Sequence, residues 1–297
     1  MLQLVLNIPH SSTYVPSGVK RNAEMDAAIR ETTDWFTEQL FGNHGYSRIL
    51  NAVFPYSRCY CDVGRQIDDP LAAEGRGIIY DFGLEISAED HFRRLYLYNG
   101  HLDTLHAMIT MGNTFLLDCH SFSTVSEFDV CLGFNDDCTR PDNTVVEAVK
   151  RYFEHCGLKV GINEPYSNAI TVDFVPKSYI VFDRSPRPYQ SMMIKINQRL
   201  YLDMATKQKN ANFENIRWII QRLYQKLRFN RLREKDFAEL EWISVPIIRE
   251  EADRYFVKSK EGVVASLDKS VIEENHFTIV RRHVKISEAM YWKLFKP

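Results

Sequence analysis

Short apolar runs that end abruptly in polar residues, separated by stretches of helical periodicity, constrain this chain more than any other feature. The run "LVLNI" at 4–8 passes straight into Pro9, His10 and two serines. The run "TFLLD" at 114–118 passes into Cys119, His120 and Ser121. Continuous apolar segments of this length suit strands covered on both faces, and such strands belong to sheets with helices on either side. Strands are expected at 2–8, 47–54, 59–63, 114–118, 129–134 and 191–196. Helical spacing is carried by Met25, Ile29, Thr33, Phe36 and Leu40, stopped by Gly42. It recurs over 88–111, closed by Gly112 and Asn113, and in "NTVVEAVKRYFEHCG", with Asn143 as expected N-cap and Gly157 as C-cap. "ANFENIRWIIQRLYQKLRF" is the last long helix of this series. Helices interleaved with buried strands predict an α/β fold around a central parallel or mixed sheet.

Near Arg231 the pattern changes to short alternating segments: "EWISVPII", "RYFVKS", "VVASL" and "FTIVRRHVKI", with a turn expected at Lys260-Glu261-Gly262. The chain is therefore divided into an α/β unit at 1–230 and a small β-rich appendage at 231–297 ending in a short helix, "SEAMYWKLF". The 297 residues are enough for a full core, and a net charge of −2 carries no field that would draw nucleic acid or an anionic membrane. No apolar run reaches the length of a membrane span, and the first residues lack the basic start of a signal peptide. A cytoplasmic location is expected, with the six cysteines reduced. Cys59 and Cys61 alternate, as on one face of a strand, and read as buried thiols.

His10 and His120 both fall just past strand C-termini, the edge where open α/β sheets bind ligands. Two histidines there are suited to share a metal; zinc in a hydrolase takes three protein ligands and leaves a place for water. Asp34 is the candidate third ligand, although it also reads as an N-cap before "WFTEQLFG". Each histidine, taken singly, also reads as a hydrogen-bonded structural residue. Asp118 either orients a ligating histidine or caps the strand end. Arg58, Arg65 and Arg76 are suited to holding carboxylates, or else pair with Asp62, Asp68 and Asp69 in a structural network. A further arginine pair, Arg184 and Arg187, lies in "YIVFDRSPRP". On the long helix Tyr98, His101 and Leu105 share a face, where His101 reads as a core histidine. There is no phosphate-binding glycine loop, serine-nucleophile elbow, H-E-x-x-H helix or nucleic-acid motif.

The segments "IPHSS", "TDWFTEQLF", "YSRCYCDVGR", "GRGIIY", "YNGHLDTL", "LLDCHS" and "MMIKINQRLYLD", in this order over 2–203, resemble the N-formylglutamate amidohydrolase family. The resemblance implies a three-layer fold similar to the zinc carboxypeptidases and a zinc-activated water that releases formate from a small acidic N-acyl amino acid. It implies His10, Asp34 and His120 as metal ligands. Arg58, Arg65, Arg76, His101 and Asn197 become substrate-binding candidates, and Arg58 and Lys195 become catalytic candidates. Three residues depart from the family pattern: Gly64 where asparagine is expected, Asn168 where glycine is, and Lys195 where a glutamate similar to the carboxypeptidase general base is. The lysine leaves two readings open, a working amidohydrolase and a member that binds a ligand or partner with impaired catalysis. A zinc peptidase or amidase on a larger substrate is a third. The appendage has no counterpart in the resemblance, and its partner is unknown.

Overall fold

The computed structural model describes residues 2–43, 45, 48–66, 69–109, 113–170, 189–228, 243–259, 262–274, 278–280, 282–286, 291 and 294–295. Arg184, Arg187, Asp68, the expected turn at Lys260-Glu261, the end of the long helix at 110–112 and the division at 230/231 lie outside the described residues.

Six strands form the main sheet: β1 (Gln3–Ile8), β2 (Ile49–Val53), β3 (Thr114–Phe122), β4 (Val130–Gly133), β5 (Val160–Ile162) and β6 (Gln190–Asn197). Their order is β2-β1-β3-β6-β4-β5. The β4–β6 pair is antiparallel and the other pairs are parallel, so the sheet is mixed. Alternation along the strands sorts side chains onto two faces. Leu4, Leu6, Ile8, Leu117 and Cys119 pack in one cluster with α2 (Thr37–Phe41), α4 (Asn143–His155) and α5 (Phe213–Arg228). Val5, Ala52 and Leu116 pack on the other face with Leu105 of α3 (Ala88–Met108). Helices thus cover both faces, as the apolar strand runs require.

The remaining strands, β7 (Ile243–Glu250), β8 (Arg254–Lys258), β9 (Val264–Asp268), β10 (Thr278–Val280) and β11 (His283–Ile286), make a separate antiparallel sheet ordered β10-β11-β7-β8-β9. Val245, Val257, Leu267, Val284 and Ile286 form its own apolar cluster. A short helix, α6 (Lys269–Glu274), follows β9 and was not apparent in the sequence.

Four local expectations are corrected. The helical pattern from Met25 to Leu40 is two helices, α1 (Ala23–Thr32) and α2, broken where Phe36 takes a left-handed conformation (φ 59). Residues 59–63 are not a strand but a turn, in which the N–H groups of Tyr60 and Cys61 donate to the Ser57 carbonyl. The cap of α4 is Asp142 rather than Asn143, and Gly157 follows its end at φ 79. The third strand extends to Phe122, so His120 lies within it rather than beyond it.

A candidate metal centre at the sheet's switch point

The chain leaves β1 for β2 on one side and returns to β3 on the other. The crevice between β1 and β3 is therefore a topological switch point, where an open sheet leaves room for a ligand. His10 follows β1 by two residues. Asn7 on β1, Asp118 and His120 on β3 and Lys195 on β6 share the face opposite the α2–α4–α5 layer. They do so because Asn7 pairs with Asp118 and His120 with Lys195 in register.

Asp34 reaches this crevice through the α1–α2 break. Its N–H donates to the His10 carbonyl at 3.0 Å, and its own carbonyl accepts from the Thr37 N–H and hydroxyl. The backbone thus does the capping and leaves the carboxylate free. Asp34 Oδ2 lies 2.9 Å from His120 Nδ1 and 3.6 Å from His10 Nδ1. The Ser121 hydroxyl donates to Asp34 Oδ1 at 3.3 Å, and Gln198 donates to that hydroxyl and to the Thr33 carbonyl.

Both histidines are held from behind by carboxylates. His10 Nε2 lies 2.7 Å from Asp62 Oδ1, and His120 Nε2 lies 3.0 Å from Asp118 Oδ1. A carboxylate only accepts, so each Nε2 donates to the aspartate behind it; His120 Nδ1 donates in turn to Asp34, while His10 Nδ1 is left without a hydrogen-bond partner. Burial opposes ionisation of Asp34, Asp62 and Asp118, yet their partners hold all three below the usual carboxylate range: the two histidines for Asp34, chiefly Arg58 and His10 for Asp62, and chiefly His120 for Asp118. Burial also works against charge on His120, but Asp118 and Asp34 on either side raise its pKa to about 9. The position calls for a cation.

One ligand atom each from His10, Asp34 and His120 lies within 4.8 Å of the others, and all three residues are buried. His10 Nδ1 is buried with no hydrogen-bond partner. An orphaned imidazole nitrogen beside a carboxylate and a second imidazole fits a divalent metal; two nitrogens and one oxygen is a donor set zinc uses.

Asp62, the junction of one wall, was seen in the sequence only as a possible arginine partner. It accepts from His10, from Arg58 Nε and Nη2 (3.2 and 2.7 Å), from the Tyr80 hydroxyl (2.9 Å) and from the Gly64 N–H (3.0 Å). Arg65 donates through Nη1 to Asp69 at 3.2 Å. The structural network is therefore built, though both arginines still line the cleft together with the exposed Arg76. Arg58 Nη1 keeps no protein partner among the described residues.

His101 sits behind the centre. Its Nε2 contacts Asn7 Oδ1 at 2.8 Å, and Asn7 donates to Asp118. Burial, with His10 nearby, lowers the His101 pKa to about 4. Asn197 likewise serves the frame, donating to the Phe128 carbonyl and accepting from the Arg199 N–H. Along α3, Asp90 and Arg94 anchor Tyr60, Tyr98 donates to the Arg65 carbonyl, and His101 reaches Asn7. A single helix face thereby positions the 57–65 turn and β1. Asp62, Tyr80, Ser121 and Gln198 fall in the segments that carry the family likeness, but neither they nor Asn7 were singled out there as site residues.

Two of the three departures have a steric reason. A Cβ on Gly64 would lie 2.6 Å from His10 Cε1 and 2.8 Å from Nε2, so an asparagine would displace the imidazole from this position. Asn168 sits at φ 69, a left-handed conformation that asparagine tolerates better than most residues other than glycine.

The cleft in front of the centre has a volume of about 930 Å³ and takes in His10, Asp34, Arg58, Arg65, His120 and Lys195. The family model for N-formylglutamate amidohydrolase matches residues 2–202. The crystal structure of N-formylglutamate amidohydrolase from Ralstonia eutropha JMP134 is similar in fold, with a TM-score of 0.58 and 21% identity, over 77% of this chain and 93% of that one. A gene product of Agrobacterium tumefaciens is similar with a TM-score of 0.50 and 16% identity, over 76% and 92%. A search of curated proteins finds no match. With a family match spanning most of the α/β unit and a fold shared with a solved member, this chain belongs to the N-formylglutamate amidohydrolase family.

Proposed function

We propose that the chain is a zinc-dependent amidohydrolase acting on a small acidic N-acyl amino acid, with N-formyl-L-glutamate, hydrolysed to formate and L-glutamate, as its expected substrate. The observation that carries this reading is the pair of inward-facing Nδ1 atoms beside Asp34, one of them orphaned. Zinc held by His10, Asp34 and His120 would supply an activated water and a polarised acyl carbonyl. Asp62 and Asp118 keep both imidazoles in the ligating tautomer, and Asn7 holds Asp118. Arg58, with Nε and Nη2 engaged on Asp62, directs its remaining nitrogen at the substrate.

The three buried aspartates are already committed, so none is free to take a proton from the attacking water. Lys195 stands where a general base is expected. Losing such a base typically costs about 10²–10⁴-fold in rate, so slow release of formate is expected. The same lysine favours the second reading, a family member that binds its ligand with little turnover.

Elemental analysis of the protein supplied with zinc should find about one zinc per chain, and His10→Ala and His120→Ala should each remove it. Formate release from N-formyl-L-glutamate should be slow and should cease in both variants. A chain that takes up no zinc, with nothing lost on substitution, would overturn the metal reading.

A further inference from the structure

Lys195 stands in the cleft as a charge with no ion-pair partner among the described residues. It lies on one of the two central strands, flanked in register by His120 on β3 and Cys131 on β4. Its ammonium rests 4.0 Å from the centre of the Tyr166 ring. That ring is fixed in turn by the Thr124 hydroxyl and by an edge-on contact with Phe122. No carboxylate among the described residues comes within ion-pair distance of Lys195. The two arginines on the same floor differ, Arg58 being tied to Asp62 and Arg65 to Asp69. Burial lowers the Lys195 pKa while Asp34 draws it back up. An aromatic face stabilises an ammonium but supplies no hydrogen-bond acceptor, so the three N–H groups still seek one.

We propose that Lys195 is a specificity-determining residue that fixes one carboxylate of the substrate. The inference rests on the cleft being the substrate site proposed above, but not on the metal. One ammonium with an aromatic backing matches one carboxylate. A dicarboxylate spanning Lys195 and the Arg58 nitrogen left free by Asp62 pairs both cationic donors with opposite charge, where a diamide offers them only neutral carbonyl acceptors.

Calorimetric titration of the full chain with glutarate, and with glutaramide as its neutral counterpart, tests this. Glutarate should bind at least about tenfold more tightly than glutaramide. Lys195→Met should lose most of that preference, and Lys195→Arg should keep most of it. Zinc content measured on the same samples separates the two claims. Failure of the hydrolase reading appears as absent metal or absent formate. Failure of this inference appears as Lys195→Met binding glutarate as tightly as the unsubstituted chain, or as no preference for glutarate in the unsubstituted chain.

Discussion

On one wall of the cleft Asp62 gathers His10, Arg58, Tyr80 and the Gly64 N–H; on the other, Lys195 rests against the Tyr166 ring and has no ion-pair partner among the described residues. Both walls place charge in the cleft, and they handle it differently. The Asp62 wall is closed: every formal charge has its counter-charge within the protein, and the carboxylate stays ionised because its partners outweigh the cost of desolvation. The Lys195 wall is open, with an ammonium that has no ion-pair partner among the described residues. A closed network holds geometry, here the direction of an imidazole lone pair. A half-buried ammonium facing the cleft favours something that brings the opposite sign.

The contrast can be broken most forcibly at Asp62. Asp62→Ala leaves Arg58 and His10 facing each other without their shared carboxylate, and the loss of a partner from a buried ion network costs about 3–5 kcal/mol. Urea denaturation should read that loss as a lowered midpoint. A midpoint close to that of the unsubstituted chain would mean that the wall is less closed than its geometry states. Gly64→Ala should cost less, about 1–3 kcal/mol, because one added methyl forces either the imidazole or the turn to move. Its sharper signature is weakened zinc retention against a chelator, since His10 cannot shift without leaving Asp62 or Asp34. The smallest change in stability belongs to the open wall. Lys195→Met removes a desolvated charge and keeps the bulk, so the urea midpoint should stay within about 1 kcal/mol of the original or rise. A loss as large as that for Asp62→Ala would show that the ammonium has partners as strong as those of the aspartate.

Much of the scaffold could be read in advance because burial on both faces leaves a direct trace in one dimension. The runs "LVLNI", "TFLLD" and "MMIKI" are apolar at successive positions because a covered strand has no wet side. The metal candidates were legible for a related reason: polar residues at the abrupt end of such a run stand at a sheet's ligand-binding edge. Local exceptions were harder to see. The helix break that frees the Asp34 carboxylate depends on a left-handed Phe36, and residues 59–63 form a turn because Arg58 must fold back on Asp62 four residues later. Neither leaves a periodic signal.

Taken alone, the sequence determined the alternating α/β plan, the change of character toward the C-terminal strands, the family likeness and the three residue types suited to a metal. These follow from local periodicity and short motifs, which are properties of neighbours along the chain. Only the tertiary structure decided that Asp62 and Asp118 stand behind the two histidines, that His10 Nδ1 is left without a partner, and that Gly64 must lack a side chain. It also decided that Lys195 shares a face with His120 and finds no carboxylate partner among the described residues. Hydrogen bonds and desolvation act between groups 52 or 111 residues apart, as His10 with Asp62 and Asn7 with Asp118 show. Their energies depend on distances and on excluded water, quantities that exist only once the chain has folded.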